Sequence, residues 1–199
     1  MRIVGLGGSL ASASRSRAAL VKALSGAGDA GAETELLDIR ALDLPFFDPD
    51  VEAGAATLRM VETLEAADGL LWSSPMYQGS VAGSFKNALD WLHLPSGSVF
   101  LTDKPVGLIS VSGGTHGLQA INAMEFSVRA LRGWAVPYVV PIPGTAFDAN
   151  EEVADEGVER QLTMLGSEVV RLAAHFVEAE DPDHRTESER SRQLVEAAA

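Results

Sequence analysis

Short apolar runs alternate along this chain with longer stretches whose apolar residues recur every three or four positions. Residues 2–6 form a compact apolar run halted by Gly7-Gly8. From about Ser16, the spacing of Leu20, Val21 and Leu24 covers one face of a helix, with Gly26 and Gly28 as its expected end. Residues 33–39 read as a second, partly polar strand. A Pro/Asp/Gly-rich connection over 41–54 leads to a helix over 55–67. Residues 69–73 form a buried strand closed by Ser74-Pro75, and a helix over 81–92 carries Phe85, Ala88, Leu89 and Leu92. A strand over 105–112 runs into Gly113-Gly114, a helix covers 117–131, and a β-branched strand covers 136–142. The last helix, over 153–178, places Leu162, Leu165, Val169, Leu172 and Phe176 on one side. Five strand–helix pairs in strict alternation predict an α/β fold, a parallel sheet with right-handed crossovers and helices on both faces. Beyond them the chain turns polar, which predicts one domain over 1–178 and a tail over 179–199.

Composition narrows the chemistry. The 199 residues include no cysteine, so disulfides, thiolate metal sites, iron–sulfur clusters and a cysteine nucleophile are all excluded. A net charge of −13 argues against nucleic acid as a partner, because phosphate neutralisation needs clustered Lys and Arg. No apolar run reaches the roughly 18 residues of a membrane span. A soluble cytoplasmic protein with no metal is the expectation.

In an open parallel sheet, ligands bind beyond the carboxyl ends of the strands, where strand order reverses. Three strand ends carry unusual loops: residues 7–16, residues 74–80 and residues 112–117. They become neighbours if the strand order is 2-1-3-4-5. In the first loop, glycines admit an anion to the backbone, the hydroxyls of Ser9, Ser12, Ser14 and Ser16 donate, and the following helix offers free N–H groups. Arg15 adds a cation, and Arg2 and Arg17 are expected around the same loop. The plain alternative for this loop is a flexible turn with a serine cap. No Gly-Lys pair occurs, which excludes a Walker loop, and a dinucleotide fingerprint fails at Leu10. In the second loop Pro75, Met76, Tyr77 and Gln78 offer apolar, aromatic and amide surface to a flat heterocycle. In the third, Ser112, Gly113, Gly114 and Thr115 leave room for a ring, and His116 is read as a solvated loop histidine. The loops after strands two and five show no comparable composition.

Taken together, Gly8-Ser9 with Ser14-Arg15-Ser16, the run Ser74-Pro75-Met76-Tyr77-Gln78-Gly79-Ser80, the stretch from Gly83 to Leu92 and Gly113-Gly114-Thr115 resemble the NADPH-dependent FMN reductase family. The resemblance spans about residues 1–145. It implies a flavodoxin-like three-layer sandwich with a five-stranded parallel sheet of order 2-1-3-4-5. It also implies FMN as cofactor and NADPH as co-substrate, with the FMN phosphate on Ser9, Ser14 and Ser16 and the ring against residues 75–78 and 112–115. Many members carry arginine two residues after the first serine, where this chain has Ala11. The family resemblance further implies a homodimer or homotetramer, with Phe85, Trp91 and Leu92 as expected contact residues, and a flavin-dependent monooxygenase as one partner class.

The implied activity is hydride transfer from NADPH to flavin, then on to an acceptor such as a quinone, or release of reduced FMN. The flavin would carry the chemistry, so no catalytic side chain is assigned. A flavodoxin-type electron carrier without NAD(P)H turnover is the second reading, and a non-enzymatic binding protein on the same fold is the third.

Overall fold

The computed structural model describes residues 1–94, 97–98, 100–114 and 117–179. Thr115, His116 and the tail from residue 180 lie outside the described residues. Five parallel strands form the sheet: β1 (Arg2–Gly7), β2 (Glu33–Asp38), β3 (Gly69–Tyr77), β4 (Pro105–Ser112) and β5 (Trp134–Pro143). Their order is β2-β1-β3-β4-β5, as expected. Ile3 sits opposite both Thr34 and Gly69, and Leu70 opposite Val106, which fixes the register of the central strands. The helices are α1 (Arg15–Asp29), α2 (Ile39–Leu42), α3 (Ala55–Glu65), α4 (Gly83–Asp90), α5 (Leu118–Ala130) and α6 (Glu156–Ala179). Among the described residues, no helix is long and apolar enough to cross a membrane.

Strand periodicity divides the core in two. Ile3, Leu71 and Ile109 point to the face covered by α1 and α6. Their chain neighbours Val4, Leu70, Trp72 and Leu108 point to the face covered by α3, α4 and α5. This alternation on strands buried on both sides explains why the sequence reads as continuous apolar runs. The second face is filled by large side chains, with Trp72 edge-to-face on Phe85 at 5.7 Å between ring centres. Burying a ring the size of Phe85 contributes roughly 1.5–3 kcal/mol.

Two expectations change here. Gly26 and Gly28 lie inside α1 rather than ending it. A Cβ on Gly26 would lie 2.4 Å from the Thr163 carbonyl oxygen, and one on Gly166 would lie 2.1 Å from that of Ala23. These glycines let α1 and α6 cross at backbone contact, and the chain leaves α1 through Ala30 and Gly31, the latter at φ +91°. Phe85, Trp91 and Leu92 are fully buried within their own chain instead of waiting for a partner. Trp91 donates its indole N–H to the Pro45 carbonyl at 2.8 Å and packs edge-on against Phe47. The 41–54 connection has folded back to meet them, and Asn87 holds it through bonds to the Phe47 N–H and the Pro45 carbonyl, both 2.8 Å.

Candidate functional site

The loops after β1, β3 and β4 meet at the carboxyl end of the sheet, around a cavity of about 220 Å³. The first loop starts at Gly7, where a Cβ would fall 2.2 Å from the Ser73 carbonyl oxygen. Only glycine allows β1 and β3 to approach so closely at their ends. Gly8 follows at φ +99° and donates its N–H to that same carbonyl at 3.1 Å. The chain then turns so that three hydroxyls line up. Ser9 donates to Ser14 at 3.0 Å, and Ser14 and Ser16 lie 3.1 Å apart. Ser14 is also the N-cap of α1, accepting from the Arg17 N–H at 3.3 Å. Ser9 and Ser16 are buried, and Ser73 pins the base of the loop by donating to the Ser16 carbonyl at 2.8 Å.

Outer braces come from β2 and α2. Asp38 pairs with Arg17 at 3.0 Å and accepts the Arg40 N–H at 3.0 Å, while the Arg40 guanidinium donates to the Leu10 carbonyl. Arg2, expected near this loop, instead pairs with Glu35, because it starts β1 and lies at the opposite end of the strand.

The second loop, expected to begin at Ser74, is shorter than that: β3 runs on to Tyr77 and a tight hairpin turns its end. Met76 pairs with Val81 and Tyr77 with Ser80, leaving Gln78 and Gly79 to turn at φ +51° and +82°. Two successive left-handed residues are what a two-residue hairpin requires. Ser74 secures its base by accepting the Ala82 N–H at 2.9 Å. In the third loop, Ser112 donates to the Gly114 carbonyl at 2.6 Å, and a Cβ on Gly113 or Gly114 would meet open space.

Of the residues singled out from sequence, Ser9, Ser14, Arg15, Ser16, Pro75, Tyr77, Ser112 and Gly113 line the cavity. Met76, Gln78 and Gly114 stand on the same loops without lining it, and Thr115 lies outside the described residues. A slightly larger hollow of about 260 Å³ lies beside β2 and α3, lined by Leu37, Arg59 and Met60 among others. Although Ala56 in the first turn of α3 borders it, it has no glycine loop and no row of hydroxyls, and Glu35 and Glu62 line it, so it suits an anion less well than the smaller cavity does.

Sequence reasoning missed Glu151. The segment after β5 showed no binding composition, yet it folds back and brings Glu151 to the cavity wall. There Glu151 takes both the Nε–H and an Nη–H of Arg15, the latter at 3.1 Å. The turn that carries it is organised by Asp148, whose carboxylate accepts the N–H groups of Asn150 at 2.8 Å and Glu152 at 3.0 Å. Those bonds, the one from Glu152 foremost, hold the Asp148 carboxyl below the usual carboxylate range.

Hydroxyls and a helix N-terminus at one end suit an anion. An open glycine strip beside an exposed tyrosine at the other suits a flat ring. The residues present therefore fit a phosphorylated heterocycle such as FMN.

An NAD(P)H-dependent FMN reductase of Pseudomonas aeruginosa is 38% identical over 120 residues, which are 59% of this chain and 63% of that protein. The chain thus spans under two thirds of this relative. The flavoenzyme NAD(P)H:(acceptor) oxidoreductase FerB of Paracoccus denitrificans superposes with a TM-score of 0.70 at 23% identity, over 88% of this chain and 98% of the other. A flavodoxin from the domain Archaea superposes at 0.63 with 12% identity, over 88% and 100%. The fold is therefore flavodoxin-like. A family model described as NADPH-dependent FMN reductase matches residues 1–147. Because that match takes in all five strands and the three loops at their ends, the chain belongs to the NADPH-dependent FMN reductase family.

Proposed function

We propose that this protein is an FMN-dependent NAD(P)H oxidoreductase. The observation that carries the reading is the row of Ser9, Ser14 and Ser16 hydroxyls, 3.0 and 3.1 Å apart, at the start of α1. These hydroxyls and the first N–H groups of α1 would hold the FMN phosphate, with Arg15 as the nearby cation. Pro75, Tyr77, Ser112 and Gly113 would flank the ring, and the buried base of the cavity would limit water around it. Held there, FMN would supply two-electron redox chemistry between NADPH and an acceptor such as a quinone, or would itself be the reduced product. The chain's own part is to bind, orient and desolvate, so no side chain is assigned a proton-transfer role.

FMN titration of the purified protein, followed by NADPH oxidation in its presence, tests this directly. Neither binding nor turnover would sink the reading, while binding without turnover would make the protein a flavodoxin-type carrier. The named reductase relative favours turnover. Ser9→Glu tests the placement of the phosphate. A carboxylate set against a phosphate should weaken FMN binding by roughly a hundredfold or more, and an unchanged affinity would refute the assignment.

The finer reading is a cytoplasmic homodimer or homotetramer that passes reduced flavin to a monooxygenase. The exposure of Phe126 and Leu118 on α5 supports a covering partner chain. Light scattering of the full chain tests the oligomer.

A further inference from the structure

The cavity holds opposite charges at the end assigned to the phosphate. Among the described residues Arg15 supplies the guanidinium that lines it, and that guanidinium is already bonded on one side and closely packed on the others. Glu151 accepts two of its N–H groups, the Phe147 ring lies 5.7 Å from its central carbon, and a Cβ on Gly144 would come within 2.8 Å of its Nη1. All three residues belong to the segment after β5, and Glu151 lies beyond the region matched by the family model, which ends at Phe147.

That segment is built to present the carboxylate. Phe147 and Val153 pair antiparallel, closing a short loop, and the Asp148 N–H donates to the Glu152 carbonyl at 2.9 Å. Within the loop Glu151 sits at φ +63°, a left-handed conformation that is uncommon for a residue with a side chain. Its N–H donates to the Asp148 carbonyl at 3.1 Å. Unusual backbone held by surrounding bonds is a reason to look for a role in the side chain it displays.

We propose that Glu151 competes with the ligand's phosphate for Arg15, and so sets how strongly the site prefers a phosphorylated flavin over a phosphate-free one. This inference rests on the FMN reading above. Glu151 already holds the Nε–H and one Nη–H of Arg15 and offsets its charge, so a phosphate entering beside the serine row must exchange with that carboxylate or settle for the N–H groups left over. Part of the phosphate's interaction is therefore spent on that exchange, whereas riboflavin, which lacks the phosphate, leaves the Arg15–Glu151 pair intact. The other guanidiniums at this loop are committed elsewhere, Arg17 to Asp38 and Arg40 to the Leu10 carbonyl, and neither lines the cavity.

Dissociation constants for FMN and riboflavin, read from quenching of flavin fluorescence on wild type and Glu151→Gln, test the proposal. FMN should bind about tenfold tighter to the variant, the scale of one charge-assisted hydrogen bond gained, with riboflavin unchanged. Glu151→Asn is the second variant, since asparagine tolerates the left-handed backbone and is too short to reach Arg15. It should show the same split. In an Arg15→Gln background the gain from Glu151→Gln should shrink. FMN binding that is unchanged or weaker in both variants overturns the proposal and makes Glu151 a support for Arg15. Equal tightening of both flavins overturns it as well, because the phosphate would then not be the discriminating group. If wild type binds neither flavin, it is the FMN reading that fails, and the Glu151 variants are not what reveals it.

Discussion

Two loops reach the same end of the cavity by different means. The loop after β1 is shaped by its own sequence: glycines where strands crowd, then serines that bond to one another and cap the next helix. The arm after β5 has no such composition, and its Glu151 meets a residue 136 positions earlier in the chain. The first loop offers hydroxyls and N–H groups to an anion. The second delivers an anion of its own. The contrast teaches that the local motif sets what kind of ligand can enter, while a distant segment adjusts how firmly it is held.

The largest way to break this contrast is Gly7→Ala. Its methyl would fall 2.2 Å from a backbone oxygen that cannot yield without parting β1 from β3. A loss of about 3 kcal/mol is expected, which for a chain of this size lowers the melting temperature by roughly 6–12 °C. A thermal melt within 2 °C of wild type, well under that roughly 6–12 °C, would show that the loop does not depend on that close approach. Next comes Ser14→Ala, which removes the α1 cap and the middle of the hydroxyl row together. It should cost about 1 kcal/mol of stability and weaken FMN more than riboflavin. Equal effects on the two flavins would detach Ser14 from the phosphate.

The smallest effect belongs to the arm. Because the folded Asp148 carboxyl titrates below its ordinary range, its contribution is present above that range and is lost as pH falls through the lowered value. Melting curves of wild type and Asp148→Ala at neutral pH and near pH 3 (roughly the foot of carboxylate titration) should therefore converge on acidification. A gap that widens instead would mean that the Asp148 charge does not organise the turn.

Much of the fold was legible because burial on both faces of a parallel strand leaves an unmistakable apolar run, and all five runs became strands in the expected order. The 105–112 run is the clearest case, with every residue of β4 buried. The expectation fell short where a residue's meaning depended on what lay across from it. Gly26 looks like a helix end because glycine often is one, but it faces the backbone of α6 at Thr163. Phe85, Trp91 and Leu92 seemed too many for one helix face until the 41–54 connection covered Trp91. Arg2 was grouped with Arg15 and Arg17 by charge alone, and the length of β1 separates them. The one signal for the arm was Asp148 two residues before Asn150, an aspartate turn whose direction nothing local specifies.

By itself the sequence determined the alternation of strands and helices, the glycine- and serine-bearing loops at three strand ends, and the exclusion of thiol chemistry. These follow from local properties, namely periodicity, glycine's backbone freedom, serine's short hydroxyl and the absence of a residue type. Tertiary structure alone decided which face each glycine served, which aromatic residues were already covered, and that Arg15 is held by Glu151. Those outcomes depend on through-space contacts between segments far apart in the chain, where a pairing's strength is set by geometry that no local pattern contains.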